Sequence, residues 1–479
     1  MKKQALLLLT VVSILIASCS KIDNTNPNGG STSDPNVVAV TTDITTSTTW
    51  SANKIYTLDK IIYVTNGATL TIEAGTIIKG SKSTAGSGSL VITRGAKINA
   101  VGTADKPIVF TSAQPVGQRN SQDWGGVILL GKAPVNQAYP AGSDGLPIEG
   151  ISAGSTSALY GGTDAADNSG TMKYVRIEFA GVPLSPDNEI NGLTFGGVGS
   201  GTTIDYIEVY RSGDDAYEWF GGTVNCKHLM AIGSLDDDFD TDFGYSGKIQ
   251  FGLAQRYPTI ADVSGSNGFE SDNDGNGSNL TPKTSAIFSN MTMVGPYAAG
   301  SGAKNVNANY QHAAQIRRNS ALSTFNSVFV GYVDGIYIDD SKVATAGATS
   351  TNFTSGALAF KNNVIGYVKN ASNDIKGENK TLFEATLRAN NVFNTMVATD
   401  LLTAPTKLAS GFADSGTPNF LPTSGSIAAS GALFTDAKLT GSFFETVTYK
   451  GAFGTTDWTA GWASYDPQIL AYTTPGAVK

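Results

Sequence analysis

Short runs of alternating apolar and polar residues, broken every few positions by Gly, Asn or Asp, fill most of this chain. Residues 55–79 show the pattern, with interruptions at Asn66-Gly67 and Ala74-Gly75. Alternation with a period of two predicts β-strands, and Gly or Asn at the breaks provides the positive φ of a tight corner. Further strands are predicted at 90–98, 107–111, 123–129, 174–179, 204–210 and 227–232. Residues 133–170, rich in Pro, Gly and Ser, are predicted to loop out.

The pattern repeats with a constant offset between residues 204 and 253. A shift of 22 positions carries Tyr206-Ile207-Glu208-Val209 onto His228-Leu229-Met230-Ala231. The same shift carries three carboxylates onto three others, Asp214 onto Asp236, Asp215 onto Asp237 and Glu218 onto Asp240. A period in the low twenties predicts a stacked solenoid, in which equivalent residues of successive rungs lie ~4.8 Å apart. Such a fold would stack acid on acid.

Three later segments share a Phe followed closely by an Asn. They begin at Phe288, Phe325 and Phe360, and their asparagines are Asn290, Asn326 and Asn362. We expect an inward Phe and a corner Asn in each segment.

The composition excludes several classes of protein. The 479 residues are 41% hydrophobic and only 15% charged, which is too apolar for a disordered chain. A formal net charge of −8 and a pI near 4.9 argue against nucleic acid as a partner, since phosphate binding requires basic patches. Cations or neutral partners suit this charge better.

The N-terminus has the form of an export signal. Lys2 and Lys3 precede an apolar run at 5–16, and Ile16-Ala17-Ser18-Cys19 follows. The last four residues resemble the lipobox of bacterial lipoproteins. The resemblance implies a signal peptide at 1–18, acylated Cys19 inserted in the lipid bilayer, and an outer-membrane lipoprotein that faces the periplasm or the cell surface. An ordinary signal peptide with a chance Cys is the alternative.

Residues 19–38, rich in Ser, Asn, Gly and Pro, are expected to form a flexible tether. The second cysteine, Cys226, lies on an expected strand. A small buried core residue is a better interpretation than a reactive thiol. With Cys19 acylated, no intrachain disulfide is expected.

Several stretches resemble known β-helix proteins. GATLTIEAGTIIKG, GTADKPIVFTS and the Asp123-Trp124 strand are similar to the first rungs of secreted bacterial right-handed parallel β-helix proteins. DDAYEWFGGTVN and DDDFDTDFGYSGKIQFGLAQR are similar to large bacterial envelope β-helix lipoproteins of the pectin-lyase-like type. The resemblance implies an all-β, right-handed, single-stranded parallel β-helix over 39–395, and it implies no reaction.

The aromatic C-terminal region, residues 396–479, is expected to cap the last rung. Its alternative is a separate sugar-binding module with Trp458 and Trp462 as stacking platforms.

The stacked acids carry the candidate chemistry. Alternation within 236–243 predicts that Phe239, Thr241 and Phe243 point inward and that Asp238, Asp240 and Asp242 point outward. Crowded carboxylates repel one another, and a hard divalent ion with oxygen ligands, Ca²⁺ above all, would remove that cost. The candidate metal ligands are Asp214, Asp215, Glu218, Asp236, Asp237, Asp238, Asp240 and Asp242. Neutralisation by Arg211, Arg256 or the Arg317-Arg318 pair, or by solvent, is the alternative.

A second acidic patch, Asp272 to Gly277, matches the first half of an EF-hand loop. The twelfth position is Lys283, where a bidentate Glu is needed. A plain Asn/Gly turn is therefore the better interpretation.

Two functional hypotheses follow. In the first, a non-catalytic surface lipoprotein presents an acidic, aromatic-lined face to a polysaccharide or to an outer-membrane protein. The candidate ligand-binding aromatics are Tyr217, Trp219, Tyr245 and Tyr257.

In the second hypothesis, the protein is a polysaccharide lyase or glycoside hydrolase that acts on an acidic polysaccharide. Ser212-Gly213-Asp214-Asp215 resembles the paired-Asp motif of polygalacturonases, but the Gly-His-Gly and Arg-Ile-Lys segments of that family are missing. A lyase would need an Arg or Lys base beside the metal. The catalytic candidates are Asp214, Asp215, Arg211 and Arg256, with Arg317 as a further candidate base. A well-placed base would favour the enzyme, and its absence would favour binding.

Overall fold

Parallel pairing between strands one rung apart organises the molecule. The computed structural model describes residues 34–82, 87–151, 155–185, 188–405 and 418–479. The predicted signal peptide, residues 1–18, and Cys19 lie outside these residues. Residues 36–479 form one compact unit.

The described residues contain 33 strands and three short α-helices, which we number in chain order. The strands are β1 (Val37–Val40), β2 (Thr48–Trp50), β3 (Ile55–Leu58), β4 (Ile61–Val64), β5 (Thr69–Ile72), β6 (Ile77–Gly80), β7 (Ser89–Ile92), β8 (Lys97–Val101), β9 (Ile108–Ser112), β10 (Val127–Leu130), β11 (Leu146–Pro147), β12 (Leu159–Tyr160), β13 (Gly170–Glu178), β14 (Pro183–Ser185), β15 (Asn188–Glu189), β16 (Leu193–Gly196), β17 (Thr203–Tyr210), β18 (Tyr217–Phe220), β19 (Asn225–Ile232), β20 (Phe239–Asp242), β21 (Lys248–Gln255), β22 (Phe269–Ser271), β23 (Ile287–Val294), β24 (His312–Ile316), β25 (Ser323–Phe325), β26 (Val328–Val330), β27 (Asp334–Ile338), β28 (Phe360–Lys361), β29 (Val364–Ile365), β30 (Ile375–Lys376), β31 (Val392–Phe393), β32 (Leu402–Ala404) and β33 (Asn419–Pro422). The helices are α1 (Ala348–Thr354), α2 (Glu384–Asn390) and α3 (Ala398–Leu401). None of the helices in the described part of the chain is long and apolar enough to span a membrane.

Two long parallel sheets make up the coil. Sheet A has 17 strands, and sheet B has ten, in the order β30-β27-β24-β22-β20-β18-β16-β10-β7-β4. The chain alternates between the sheets, and sheet A bends into two faces, so each rung has three sides. The prediction of an all-β, right-handed, single-stranded parallel β-helix is confirmed.

The bend in sheet A falls at one residue per rung with left-handed backbone. This residue is aromatic in four consecutive rungs and Asn in the next three: Tyr174, Tyr206, His228, Phe251, Asn290, Asn326 and Asn362, with φ between 49° and 64°. Asn tolerates this conformation better than other non-glycine residues. The three predicted corner asparagines are confirmed.

The predicted offset of 22 residues is also confirmed. Ile207 of β17 pairs with Leu229 of β19, and Glu218 of β18 pairs with Asp240 of β20. The prediction of an inward Phe is correct in two of the three segments. Phe288 and Phe360 lie in the core, but Phe325 is one residue closer to its corner Asn and points outward, against Leu439 and Phe444.

The C-terminal end of the coil is closed by a helix. Leu387 of α2 and Phe383, just before it, are fully buried in the main apolar core. Helix α2 adjoins β28 and β31, which end sheet A. The interior therefore does not depend on residues 396–479 for its cover at this end.

The C-terminal strap, which we define as residues 418–479, runs back along the outside of sheet A. Gly431 accepts a hydrogen bond from Asn362, Tyr449 from Asn290, and Tyr472 from Arg176, so later strap residues meet earlier rungs. The expected cap over the last rung is therefore wrong.

Trp462 is 1% exposed, and the Trp458 ring stacks on both Phe453 and Trp462. Neither ring is therefore an open platform for a sugar, and that alternative is wrong as well.

Part of the outer face of sheet B is covered. Ile148 and Tyr160 lie over Val91, Ile128 and Leu130. Tyr160 also packs against Phe220, on the strand that carries Glu218, so this cover reaches the first acidic rung. Cys226 is 1% exposed, as expected of a core residue.

Candidate functional site

A column of carboxylates runs along the outer face of sheet B. Inward Tyr217, Phe239 and Phe269 stack in the core and fix the register of β18, β20 and β22. The residue after each aromatic points outward, and pairing aligns Glu218 with Asp240 and Asp240 with Glu270. Three acids thus occupy successive rungs, because side chains alternate between the two faces of a strand.

A second column lies at the corner before these strands. The backbone N–H of Asp237 donates to Asp215 Oδ1 at 2.7 Å, and the N–H of Asn267 donates to Asp237 Oδ1 at 2.5 Å. These bonds hold each corner carboxylate against the next rung. They use one oxygen of each carboxylate.

The two columns together form groups of acids that suit a metal ion. In each group, one ligand atom from each of three residues lies within 4.8 Å of the others. The groups are Asp214, Asp215 and Asp236; Asp215, Glu218 and Asp240; and Asp237, Asp240 and Glu270. Hard cations such as Ca²⁺ take carboxylate oxygens of this kind.

Burial and mutual repulsion oppose ionisation across the cluster. Burial, followed by the charges of neighbouring acids, raises the pKa well above its ordinary value for Asp214, Asp215, Glu218, Asp237, Asp240 and Asp242. Burial raises the pKa of Asp236 to about 6 and that of Glu270 to about 8, with Arg317 opposing the rise in both. A cation would favour the ionised carboxylates.

Three arginines neutralise part of the cluster. Arg317 forms ion pairs with Glu270 and, at 2.8 Å, with Asp272. Arg318 pairs with Asp272 at 2.5 Å, and the fully buried Arg256 pairs with Asp238 at 2.9 Å. The expectation of arginine neutralisation is correct for these residues, and it leaves Asp214, Asp215 and Glu218 outside the ion pairs.

The arginines are poorly suited to act as bases. The pKa of Arg256 and that of Arg317 are raised by their acidic partners despite burial, so both guanidiniums stay protonated. Arg211 lies elsewhere, with its charge close to Tyr210, Tyr257 and Asp123.

Six of the eight expected metal ligands fall in the three groups. Asp238 does not, because it precedes β20 and turns to Arg256. Asp242 points outward as expected but belongs to none of the groups. Phe243 is not inward, because its φ of 50° ends the alternation and the ring packs outside against Phe220.

Sequence reasoning missed Glu270 as a member of the site. The signal was present, since Asn267-Gly-Phe-Glu270 repeats the spacing of Asp215-Ala-Tyr-Glu218 and Asp237-Asp-Phe-Asp240. The insertion before this rung hid it from a search at an offset of 22.

The expected aromatic lining is wrong. Tyr217, Trp219 and Tyr245 are fully buried in the core, on the opposite side of the sheet from Glu218. Tyr257 is 6% exposed and packs in the cluster beneath the C-terminal strap. The tyrosine and tryptophan of β18 flank Glu218 in sequence, so alternation places them inward.

The second acidic patch is a turn closed by hydrogen bonds to Asp274. Asp274 accepts hydrogen bonds from the backbone N–H of Asn276 and from the N–H and hydroxyl of Ser278. Asp272 forms ion pairs with Arg317 and Arg318. These contacts agree with the interpretation as an Asn/Gly turn.

Comparison with known proteins identifies the family. Residues 42–407 match the family model described as a pectate-lyase-like β-helix domain. The chain belongs to this family. No curated protein matches it. Among solved structures, the surface adhesin PfbA of Streptococcus pneumoniae is similar at 10% identity, over 72% of this chain and 80% of that one, with a TM-score of 0.21. A TM-score this low gives no support for a shared fold or function.

Proposed function

We propose that this protein is a non-catalytic binding protein whose acidic face on sheet B holds Ca²⁺ and, through the ion, a glycan. The observation that carries the proposal is the group Asp215, Glu218 and Asp240, whose ligand atoms lie within 4.8 Å of one another. Carboxylates this close repel unless a cation lies between them. Ca²⁺ takes six to eight oxygens, so an ion here would keep positions for the hydroxyl or carboxylate oxygens of a ligand.

The state of the basic residues supports binding over a lyase. A lyase removes a proton with a neutral base beside the metal. The guanidiniums of Arg256 and Arg317 are held in ion pairs with Asp238 and Glu270. Cation-mediated capture requires no base.

The burial of the aromatic residues supports a role for the ion. Tyr217 and Trp219 cannot stack on a sugar from inside the core. A ligand on this face therefore meets carboxylates, which bind a neutral or acidic glycan poorly without a bridging cation. We propose further that acylated Cys19 anchors the mature chain in the outer membrane and places this face outside the bilayer.

Calorimetric titration with CaCl₂ tests the ion. The sample is the mature chain, residues 19–479, with Cys19→Ala to prevent acylation. We expect saturable binding in this chain and none in Glu218→Gln/Asp240→Asn. Asp105→Asn is the matched control, because the side chain of Asp105 is 98% exposed and far along the chain from the cluster. No heat in the parent chain, with a melting temperature that EDTA leaves unchanged, would contradict the proposal.

A glycan-binding screen with and without EDTA tests the ligand. Binding of polysaccharide that EDTA abolishes is the expected result. Calcium binding without any glycan, together with calcium-dependent retention of a protein, would replace the glycan with a protein partner.

A further inference from the structure

The acidic face repeats one three-carboxylate motif on two successive rungs. The motif consists of a corner residue, the strand residue three positions later, and the neighbour of that residue on the next rung. Asp215, Glu218 and Asp240 form the first copy, and Asp237, Asp240 and Glu270 form the second. The copies differ by one rung and share Asp240, so they are two geometrically equivalent places for an ion.

The corner residue is an asparagine on the rung before Asp215, which is Asn191, and on the rung after Asp237, which is Asn267. Asn191 donates a hydrogen bond to Glu218 Oε2 at 2.5 Å, and Asn267 donates one to Glu270 Oε2 at 3.2 Å. These bonds orient the strand carboxylates from the side.

Asn191 provides an independent pointer to a ligand at the first copy. Its side chain is 1% exposed and bonded to Glu218, yet its Oδ1 atom has no hydrogen-bond partner among the described residues. Rotation of the amide by 180° would exchange Nδ2 and Oδ1 and set Oδ1 beside Glu218 Oε2, a contact between two acceptor oxygens that a hard cation between them would stabilise. Both copies share the residue Asp240, and its Oδ1 atom is also buried with no hydrogen-bond partner among the described residues.

Arg317 distinguishes the second copy from the first. Its guanidinium forms an ion pair with Glu270 and a further one with Asp272. The second copy therefore already has a positive charge, whereas no basic side chain in the described part of the chain forms an ion pair with Asp215 or Glu218 in the first copy. A divalent ion one rung away would also repel a second ion at about 5 Å.

We propose that one ion binds at Asp215, Glu218, Asp240 and Asn191, and that the guanidinium of Arg317 takes the place of a second ion at Asp237, Asp240 and Glu270. The third group, Asp214, Asp215 and Asp236, shares Asp215 with the first copy, so an ion in that copy already engages it. Arg317 thus limits the face to one exchangeable cation. This inference rests on the proposed function, because it assumes that the face binds a cation at all.

The number of Ca²⁺ ions bound per chain tests the inference. Equilibrium dialysis against CaCl₂ is run on the mature chain, on Arg317→Gln and on Arg94→Gln, a matched control whose partner is the exposed Asp144. We expect one ion in the parent and in Arg94→Gln. In Arg317→Gln we expect two, the second bound about tenfold or more weakly because of repulsion between the ions.

Other outcomes separate the two proposals. No ion in the parent chain would overturn the proposed function. One ion in both the parent and Arg317→Gln, or two in the parent, would leave that function standing and overturn the role of Arg317.

A second pair of variants covers the case in which Arg317→Gln fails to fold. Glu218 belongs to the first copy alone and Glu270 to the second alone. We therefore expect Glu218→Gln to lose the ion and Glu270→Gln to keep it with less than a threefold change in affinity. The reverse result, or equal loss in both variants, would overturn the assignment of the ion to the first copy.

Discussion

Glu218 and Asp240 stand in register on neighbouring strands, and a ligand oxygen of Asp215 lies within 4.8 Å of both carboxylates. Parallel stacking repeats whatever the sequence repeats, so a single acid per rung becomes a column of like charges. Such a column destabilises the folded chain in the absence of cations and becomes a binding site in their presence.

The double change Glu218→Gln/Asp240→Asn should therefore have opposite effects on the stability of the folded chain, relative to the parent, in EDTA and in CaCl₂. In EDTA it removes repulsion and should stabilise the folded chain by about 1–2 kcal/mol. In millimolar CaCl₂ the parent should gain stability by mass action, about 2.7 kcal/mol at one hundred times Kd, and the variant should gain almost nothing. Thermal melts of both proteins in both buffers measure the effect. A variant that is less stable than the parent in EDTA would show that the acids are already compensated.

The repeat was visible in the sequence because the positions of the acids recur at a constant offset. Within a strand, alternation placed Phe239, Asp240, Thr241 and Asp242 correctly. It failed at both ends of β20, since Asp238 belongs to a corner and Phe243 has left-handed φ, and alternation has no meaning at either position.

The path of the C-terminal strap was not predictable in the same way. It depends on single contacts between distant residues, such as Arg176 with Tyr472, which are 296 positions apart. Clustered aromatics indicated that the strap packs against something, and their spacing gave no indication of the surface. The burial of Tyr217 and Trp219 could have been anticipated, because an outward Glu218 between them requires both rings to point inward.

Trp462 should matter for stability and not for ligand binding. The side chain is 1% exposed, packs against Tyr174 and Tyr206, and its indole N–H donates to the carbonyl of Trp458. Trp462→Ala should cost about 3–5 kcal/mol and loosen the strap. Limited proteolysis with mass spectrometry should then detect new cleavage within 418–479. Ile469→Ala, at a side chain that is 68% exposed, is the control and should melt like the parent. Unchanged stability in Trp462→Ala together with weakened glycan binding would mean that Trp462 stacks on the sugar.

Cys226 should be inert in the folded protein. It is 1% exposed, and burial raises the pKa of its thiol. Thiolates are the reactive form, so we expect no alkylation by iodoacetamide at pH 8 until the chain unfolds. Full labelling in urea is the positive control. Rapid labelling of the native protein at temperatures well below its melting point would mean that this rung opens locally.

Cys19 should control where the protein resides in the cell. If its acylation anchors the chain, the parent should sediment with outer membranes and Cys19→Ser should be recovered in the soluble fraction, with the fold unchanged. Metabolic labelling with a tritiated fatty acid should mark the parent only. Equal membrane recovery of both forms would exclude the lipid as the anchor, and Cys226→Ser serves as the matched control for loss of a thiol.

Glu208 should set a pH dependence at the interface between sheet A and the strap. The residue is fully buried, Glu208 Oε2 accepts a hydrogen bond from the backbone N–H of Ser464, and burial raises its pKa from 4.5 to about 8, with Arg176 opposing the rise. Arg176 already forms an ion pair with Glu178 at 3.3 Å, so Glu208 is the neighbouring acid with which Arg176 does not pair directly. A raised pKa in the folded state means that folding retains a proton which the unfolded chain releases.

The stability contributed by protonated Glu208 is thus fully present below pH 4.5 and is lost as the pH rises through 8. Glu208→Gln imitates the protonated form at every pH. In EDTA, its melting temperature should match that of the parent near pH 4.5 and exceed it increasingly up to pH 9, because titration of all other groups is common to both proteins. Glu445→Gln, at a side chain that is 59% exposed, should follow the parent throughout. A difference between Glu208→Gln and the parent that is independent of pH would mean that Glu208 is ionised in the folded protein, and that Arg176 is shared equally between Glu178 and Glu208.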